Sequence, residues 1–471
     1  MKAKIRERFA EFIVGTHYQE LPQEVVYQTK LCVLDLLGVA LAGGNVGLAP
    51  LITDMICNIG GKEEATIIGD GRRLPALNAA LVNGVRGHTL DFDDGQKYAN
   101  GHPGVVVIPP ALALAERENA SGRELIEAIV AGYETFIYTA TAINHPLHVK
   151  KDSDKMNPLH SKKGFHTTGT IGPFGAAAAC AKVLGLGKEG IENALAIAGL
   201  QGAGLLEVTV SGQMMKPLHP GRAAQAGVMA ALLAQKGAVG PELIFEGEKG
   251  FFRAFSDVHG STEISPDLEK NLGMINPYSQ MYFKFHATCR ATHASIDAAL
   301  EICKKQGLGP KDIQEIEIET FPVALSLCGH IVYPDTILAA KFSIPFSVAM
   351  AISTGDLFVD KFTEENIKNE DIKALASKVK LSAGEEWAKA YPEKRGASVT
   401  IKSNSGQHFT HSLPFAIGAR ETEDSGSVDN LMKKFHSNAS LALSEEKSKQ
   451  LGDSIMNLEN LSVRDITRLV Y

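Results

Sequence analysis

Between Pro22 and Ala42 the residues Leu31, Leu34, Leu37 and Leu41 recur at helical spacing, Pro22 suits a first turn, and Gly43-Gly44 supplies a stop. Asp35 falls inside this apolar helix. The same reasoning predicts helices from Pro75 to Val85, from Pro110 to Glu118 and from Arg123 to about Ala142, each bracketed by Pro or Gly. The stretches from Ala177 to Leu184, Glu192 to Ala198 and Arg222 to Gln235 are so rich in Ala and Gly that helices there should pack at short distance. After roughly residue 270 the period changes. Ile316 and Ile318 alternate with Glu315, Glu317 and Glu319, Val399 and Ile401 repeat the alternation, and Asn404-Ser405-Gly406 separates two strand-like runs between Ser398 and Leu413 as a hairpin turn would. Beyond the acidic, Ser-rich stretch from Glu421, helical patterns return around Asn430 to Phe435 and Ser444 to Leu458. The chain therefore reads as mainly α with a smaller α+β domain, helical first, α+β from about 270 to 412, then helical again.

Composition narrows the class. With 471 residues, 44% hydrophobic and 21% charged, the chain can bury a sizeable core in two or three domains without staples, and a disulfide scaffold, a collagen or a disordered chain is excluded. Its 47 Lys and Arg against 54 Asp and Glu give a net charge of −7, which argues against a nucleic-acid partner that would need a basic face. Six cysteines form no CxxC pair, as expected of a reducing compartment. Met1 to Gly15 carries Glu7 and Glu11 and lacks both a secretory apolar core and the acid-free character of a transit peptide, and no 18 consecutive apolar residues occur. The expectation is a cytoplasmic globular protein with no membrane partner.

Four segments concentrate chemistry. His88-Thr-Leu-Asp91-Phe-Asp93-Asp94-Gly95, followed by Gly101-His102-Pro103-Gly104, places three carboxylates and two histidines around one loop, with Leu90 and Phe92 between the acids as if part of it were buried. Lys162-Lys163-Gly164-Phe165-His166 precedes a Gly- and Ala-rich helix whose N-terminus could receive an anion. The loop from Met215 to Ala224 presents Lys216, His219 and Arg222, and the segment from Tyr282 to His293 sets Lys284 and Arg290 among aromatics and small residues. A positive pocket on an acidic protein focuses anionic ligands, and this mixture of Lys, Arg, His and Asp suits proton abstraction beside a carboxylate without a cofactor or a metal. Competing motifs fail. Gly185-Leu-Gly187-Lys-Glu-Gly190 matches G-x-G-x-x-G but follows a helix rather than a strand, so it reads as a helix end and loop. The pairs His145-x-x-His148 and His408-x-x-His411 lack further metal ligands nearby.

The segments DLLGVALAG at Asp35, HTLDFDD at His88, GHPG at Gly101, GFHTTGTIG at Gly164, KPLHPGRAA at Lys216, CRATHASIDA at Cys289 and AKFSIPFSVA at Ala340, in this order, resemble the MmgE/PrpD family over nearly the whole chain. That family includes 2-methylcitrate dehydratase, cis-aconitate decarboxylase and iminodisuccinate epimerase. The resemblance implies a large helical domain from residues 1–269 and 413–471, a smaller α+β lid from 270–412, and a homodimer. It implies a site between the domains that holds Asp91, His102, His166, Lys216 and Lys284 as the catalytic set, with Tyr333 lining it. On that basis Lys216, Lys284 and Arg290 are expected to hold substrate carboxylates, His102 and His166 to exchange protons, and Asp91 to orient or polarise a partner.

The chain departs from the family pattern after DFDD. Gly95-Gln96-Lys97 stands where Thr-Trp is usual, so a hydroxyl is lost and Lys97 adds a cation near the substrate. The expected activity is a cofactor-independent lyase acting on a small di- or tricarboxylic acid, a dehydratase ahead of a decarboxylase. An epimerase of an acidic substrate such as iminodisuccinate needs the same residue types, and a non-catalytic binding protein is the third alternative.

Overall fold

The computed structural model describes residues 4–144, 159–210, 214–256, 281–419, 421–422 and 428–471. The boundary expected at 269/270 and the pair His145/His148 lie outside the described residues.

Helix Gln23–Gly43 is buried on nearly every face. By length and mean hydropathy alone it could cross a bilayer, but 89% of its most apolar window is enclosed by the rest of the fold, so it is a core helix here. Gly38 lets it meet Val428–Ala439 from the far end of the chain, since a Cβ on Gly38 would stand 3.0 Å from Phe435. Helix Ala76–His88 crosses Leu218–Gln235 just as closely: a Cβ on Gly84 would lie 2.8 Å from the Gly221 Cα. This crossing brings the last turn of one helix, ending at His88, beside the first turn of the other, preceded by Lys216. Small residues thus position charged ones.

The helix expected from Pro110 begins at Pro103 and runs to Glu118 through Pro109-Pro110. Proline inside a helix removes a donor and by local preference marks a start, but residues 103–116 are all buried and packing outweighs that preference. The stretches expected from Ala177 and Arg222 are likewise the later parts of Thr167–Val183 and Leu218–Gln235. Gly185 has a positive φ after Thr167–Val183, and Gly187 caps Lys188–Gly199, so the glycine motif joins two helices.

The α+β part holds a four-stranded sheet in the order Val379–Ala383, Ile313–Thr320, Ala397–Ser403, His408–Leu413. The first pair is parallel and the others antiparallel. Helix Arg290–Gln306 covers the face carrying Ile316, Ile318, Val399 and Ile401. The opposite face is polar, with Thr400 and Thr410 hydroxyls 2.9 Å apart.

Two hydrophobic clusters result. One unites side chains from Ile5 to Phe283 with Leu431 to Val470, and the other gathers residues 287–416 with Val39, Ala42, Leu90 and Phe92. Leu90 and Phe92 therefore anchor in the second core while the chain on either side of them belongs to the first. The acidic loop lies along the seam.

Candidate active site

Helix Ala76–His88 ends in a turn closed by the Asp91 amide donating to the His88 carbonyl at 3.0 Å, and Asp91 then takes a left-handed φ of 50°. Aspartate tolerates this region better than bulkier residues do. Three buried lysines fix the strand of chain that follows. Lys341 donates to the Leu90 carbonyl at 2.5 Å, Lys284 to the Asp91 carbonyl at 2.7 Å, and Lys434 to the Phe92 carbonyl at 2.8 Å. Three consecutive carbonyl groups thus each accept an ammonium donor.

The side chains between them are equally committed. Asp91 Oδ1 accepts from Lys216 at 2.8 Å and from Lys284 at 3.1 Å. Burial alone would raise this carboxyl, but the two ammonium groups outweigh it and hold Asp91 well below the usual carboxylate range. Asp93 is buried too, and the imidazoles of His88 and His102 keep it ionised. His88 donates Nδ1–H to both Asp93 oxygens, at 2.9 and 3.0 Å. His102 donates Nδ1–H to the Asp94 carbonyl at 2.6 Å and stands 3.3 Å from Asp93. Asp94 differs from its neighbours: it accepts from Tyr133 Oη at 2.7 Å and from the Gly104 amide at 3.1 Å, and burial pushes it up to about 8. Asp35 pairs with Lys434 at 2.6 Å behind the loop.

Four imidazoles run in series. Ring centroids are 4.9 Å apart for His102 and His88, 6.0 Å for His88 and His166, and 5.2 Å for His166 and His219, whose Nδ1 atoms share a hydrogen bond at 3.0 Å. Burial lowers His88 to about 4 and lowers His166 and His219 as well, with Lys216 adding to each, so these three are neutral at pH 7. His88 Nε2 has no hydrogen-bond partner among the described residues.

This cluster floors a cavity of about 350 Å³ lined by His88, Asp91, Lys216 and Lys341, among others. Burial lowers Lys341 to about 7, which makes it a proton donor and acceptor near neutrality. One donor atom each from His88, Asp91 and His102 lies within 4.8 Å of the others, a spacing that a metal ion could use. Two ammonium groups already occupy Asp91, however, so a cation would meet repulsion there and an anion attraction.

Of the residues expected at the site, Asp91, Lys216 and Lys284 meet directly, and His102 and His166 flank His88. Three others lie apart. Arg290 stacks on Tyr282 at 4.7 Å and donates to the carbonyls of Ile417 at 2.9 Å and Ala416 at 3.1 Å, so its guanidinium braces the backbone. Lys97 pairs with Glu421 at 3.0 Å, beside Arg290 in a separate small cavity. Tyr333 is 58% exposed and does not line the main cavity, although Asp335, Thr336, Ile337 and Leu338 just after it do. The expected carboxylate-binding role of Arg290 thus meets a group already engaged.

Gly95 has its own explanation. It pairs with Tyr282 across the short ribbon of Gly95–Gln96 and Met281–Tyr282, and a Cβ at 95 would fall 2.3 Å from Tyr282 Oη. Glycine at 95 therefore makes room for the Tyr282 ring.

Sequence reasoning passed over His88, Asp93, Lys341 and Lys434. His88 and Asp93 stood inside the motif that was singled out, and a His five residues before an Asp across a helix end was the available signal. Lys341, in the AKFS segment, carried a weaker one, a lone lysine among apolar residues.

Two family models match the chain, and the second runs past the smaller core into the C-terminal helices that pack in the first. The MmgE/PrpD N-terminal domain matches residues 7–263 and the MmgE/PrpD C-terminal domain residues 286–460. The chain is 28% identical to cis-aconitate decarboxylase of Homo sapiens, covering 98% of this chain and 93% of that one, and 27% identical to that of Mus musculus, covering 98% and 92%. It is 25% identical to the mitochondrial 2-methylcitrate dehydratase of Yarrowia lipolytica, over 92% of this chain and 83% of that protein. With the two models together covering most of its length, the chain belongs to the MmgE/PrpD family.

Proposed function

We propose that this protein is a lyase of a small tricarboxylic acid, moving a proton at the carbon beside a carboxylate and expelling water. The observation that carries the reading is the His88–Asp93 pair at the floor of the cavity: Asp93 fixes the Nδ1–H tautomer, which leaves the Nε2 lone pair of a neutral imidazole as the base. Lys216 and Lys341 line the same cavity and can stabilise the negative charge that develops on the carboxylate when its α proton leaves. The electron pair forms the alkene as the carbon–oxygen bond breaks, and Lys341, poised to about 7, gives the departing hydroxide its proton. An incoming polyanion raises the affinity of both His88 and Lys341 for protons. His102 and His166 flank this centre, at ring-centroid distances of 4.9 and 6.0 Å from His88.

A second reading, loss of CO2, is favoured by the names of the 27% and 28% identical relatives. There the carbon–carbon bond breaks, its electron pair stays on carbon, and protonated His88 or Lys341 supplies the proton.

Incubating the purified protein with 2-methylcitrate, citrate, cis-aconitate and a racemic panel of imino- and hydroxy-diacids in D2O, followed by NMR, separates the outcomes. A new alkene from a hydroxy acid supports dehydration, and a product short of one carboxylate supports the second reading. Deuterium exchange or inversion without elimination would replace both with an epimerase, and silence throughout would sink the proposal. Within whichever reaction appears, His88→Gln and Asp93→Asn should each lower kcat by about 10²- to 10⁴-fold in folded protein.

A further inference from the structure

The cavity is more apolar than a site for a short polyacid needs to be. Besides its charged floor it is walled by Val46, Leu48, Met214, Ile337, Leu338 and Ile367. Its cations are few: Lys216 is engaged by Asp91, and Lys368 at the rim pairs with Glu364 at 2.8 Å, which leaves Lys341 on its backbone carbonyl. A carboxylate pushed against the apolar wall would lose its hydration with no donor in return. A molecule bearing carboxylates on every side therefore matches only the floor.

We propose that the substrate is a carboxylic acid with an aliphatic arm: its carboxylates gather at His88, Lys216 and Lys341, and an alkyl chain of several carbons lies along Leu48, Ile337, Leu338 and Ile367. This rests on the lyase reading for the reaction but not for the binding. The two ends of the cavity divide the work. The floor orients the reacting carbon, and the apolar wall supplies binding energy from a remote group, which helps to hold the reacting end in place. The Glu364–Lys368 pair at the mouth neutralises itself, and Asp335 adds a negative charge that repels a further carboxylate from that side.

Calorimetric titration of the full chain with succinate and its 2-methyl, 2-propyl and 2-hexyl derivatives tests the binding alone, because none of these has a hydroxyl to expel. Kd should fall about fourfold for each added methylene until the wall is covered, the fold-change that corresponds to about 0.8 kcal/mol. Leu338→Asn or Ile337→Asn should flatten that series. An affinity that stays level or falls with chain length, or no binding by any member, overturns the arm. Failure of the reaction looks different: rising affinity along the series with no chemistry on 2-alkylmalates or 2-alkylcitrates would leave the arm standing and remove the lyase.

Discussion

Replacing Asp94 with Asn would test the electrostatics of the loop while keeping its shape. Asp94 is buried, accepts from Tyr133 and the Gly104 amide, and is pushed by burial up to about 8, with Asp35 and Asp93 adding to the rise. In the unfolded chain the same carboxyl titrates near 3.8, so between that value and about 8 the folded protein keeps a proton that the unfolded chain has released. Its contribution to stability is therefore full at the acid end and is lost as pH rises through this window, by at most about 1.4 kcal/mol per pH unit. From about pH 5 to about pH 7.5 that amounts to about 3 kcal/mol. Asparagine has no proton to lose and keeps an oxygen for one of the two donors, so the variant lacks this slope. Urea unfolding of both proteins across the range should show the variant gaining on the parent by about 3 kcal/mol. Titrating groups that do not sense Asp94 cancel in the difference. Two curves separated by a constant amount at every pH would refute a protonated Asp94.

Three further outcomes follow from the packing around the loop. Lys434→Met should destabilise by about 3–5 kcal/mol in denaturant titrations, because it strands Asp35 as a buried charge and leaves the Phe92 carbonyl without its donor. Adding Asp35→Leu should recover much of the loss, and an undiminished midpoint in the single variant would count against the pair. Arg290→Met should lower stability by about 1–3 kcal/mol through the lost carbonyl bonds and leave KM unchanged, whereas a raised KM at full stability would return Arg290 to the substrate. Gly95→Thr should lower the thermal midpoint, at a cost of about 1–3 kcal/mol, since its Cβ would meet Tyr282 Oη at 2.3 Å, and Tyr282→Ala should relieve it. Full stability of Gly95→Thr alone would show that the ribbon yields.

Periodicity was a good guide wherever one face of an element is buried. Ile316 and Ile318 pointed inward as their spacing required, and Gly406 turned the hairpin with a φ of 82°. The parallel strand Val379–Ala383 does alternate, with Val379 and Leu381 against the second core and Lys380 and Ser382 outward, but five residues at a sheet edge are too short a run for periodicity alone to separate from a loop. Helix Leu48–Ile59 escaped as well, lying just past a pair of glycines that read as a stop. At the site, the acids and histidines of one loop were legible as a cluster because they are neighbours in sequence. Of their partners, Lys216 and Lys284 entered the expected set through the family resemblance, and Lys341 and Lys434 did not enter it. Lys284 and Lys341 belong to segments far from the loop, and nothing in a lone lysine says which carbonyl it will reach. Arg290 misled for the complementary reason: a conspicuous cation beside Lys284 turned out to spend its donors on main-chain oxygens.

The three lysines on consecutive carbonyls also bear on how the chain comes off the ribosome. They lie 251, 193 and 342 residues downstream of the carbonyls they grip. A nascent chain that has exposed the whole acidic loop still lacks every one of these donors. At about 5–20 residues per second, Lys434 emerges on the order of 20 to 70 s after Phe92, and until then the Phe92 carbonyl has only water as a partner. Stop codons or proteolytic cuts anywhere between the loop and Lys434 should thus yield products whose helices form but whose loop does not set. The site is assembled by the tail of the polypeptide, last in time as well as in sequence.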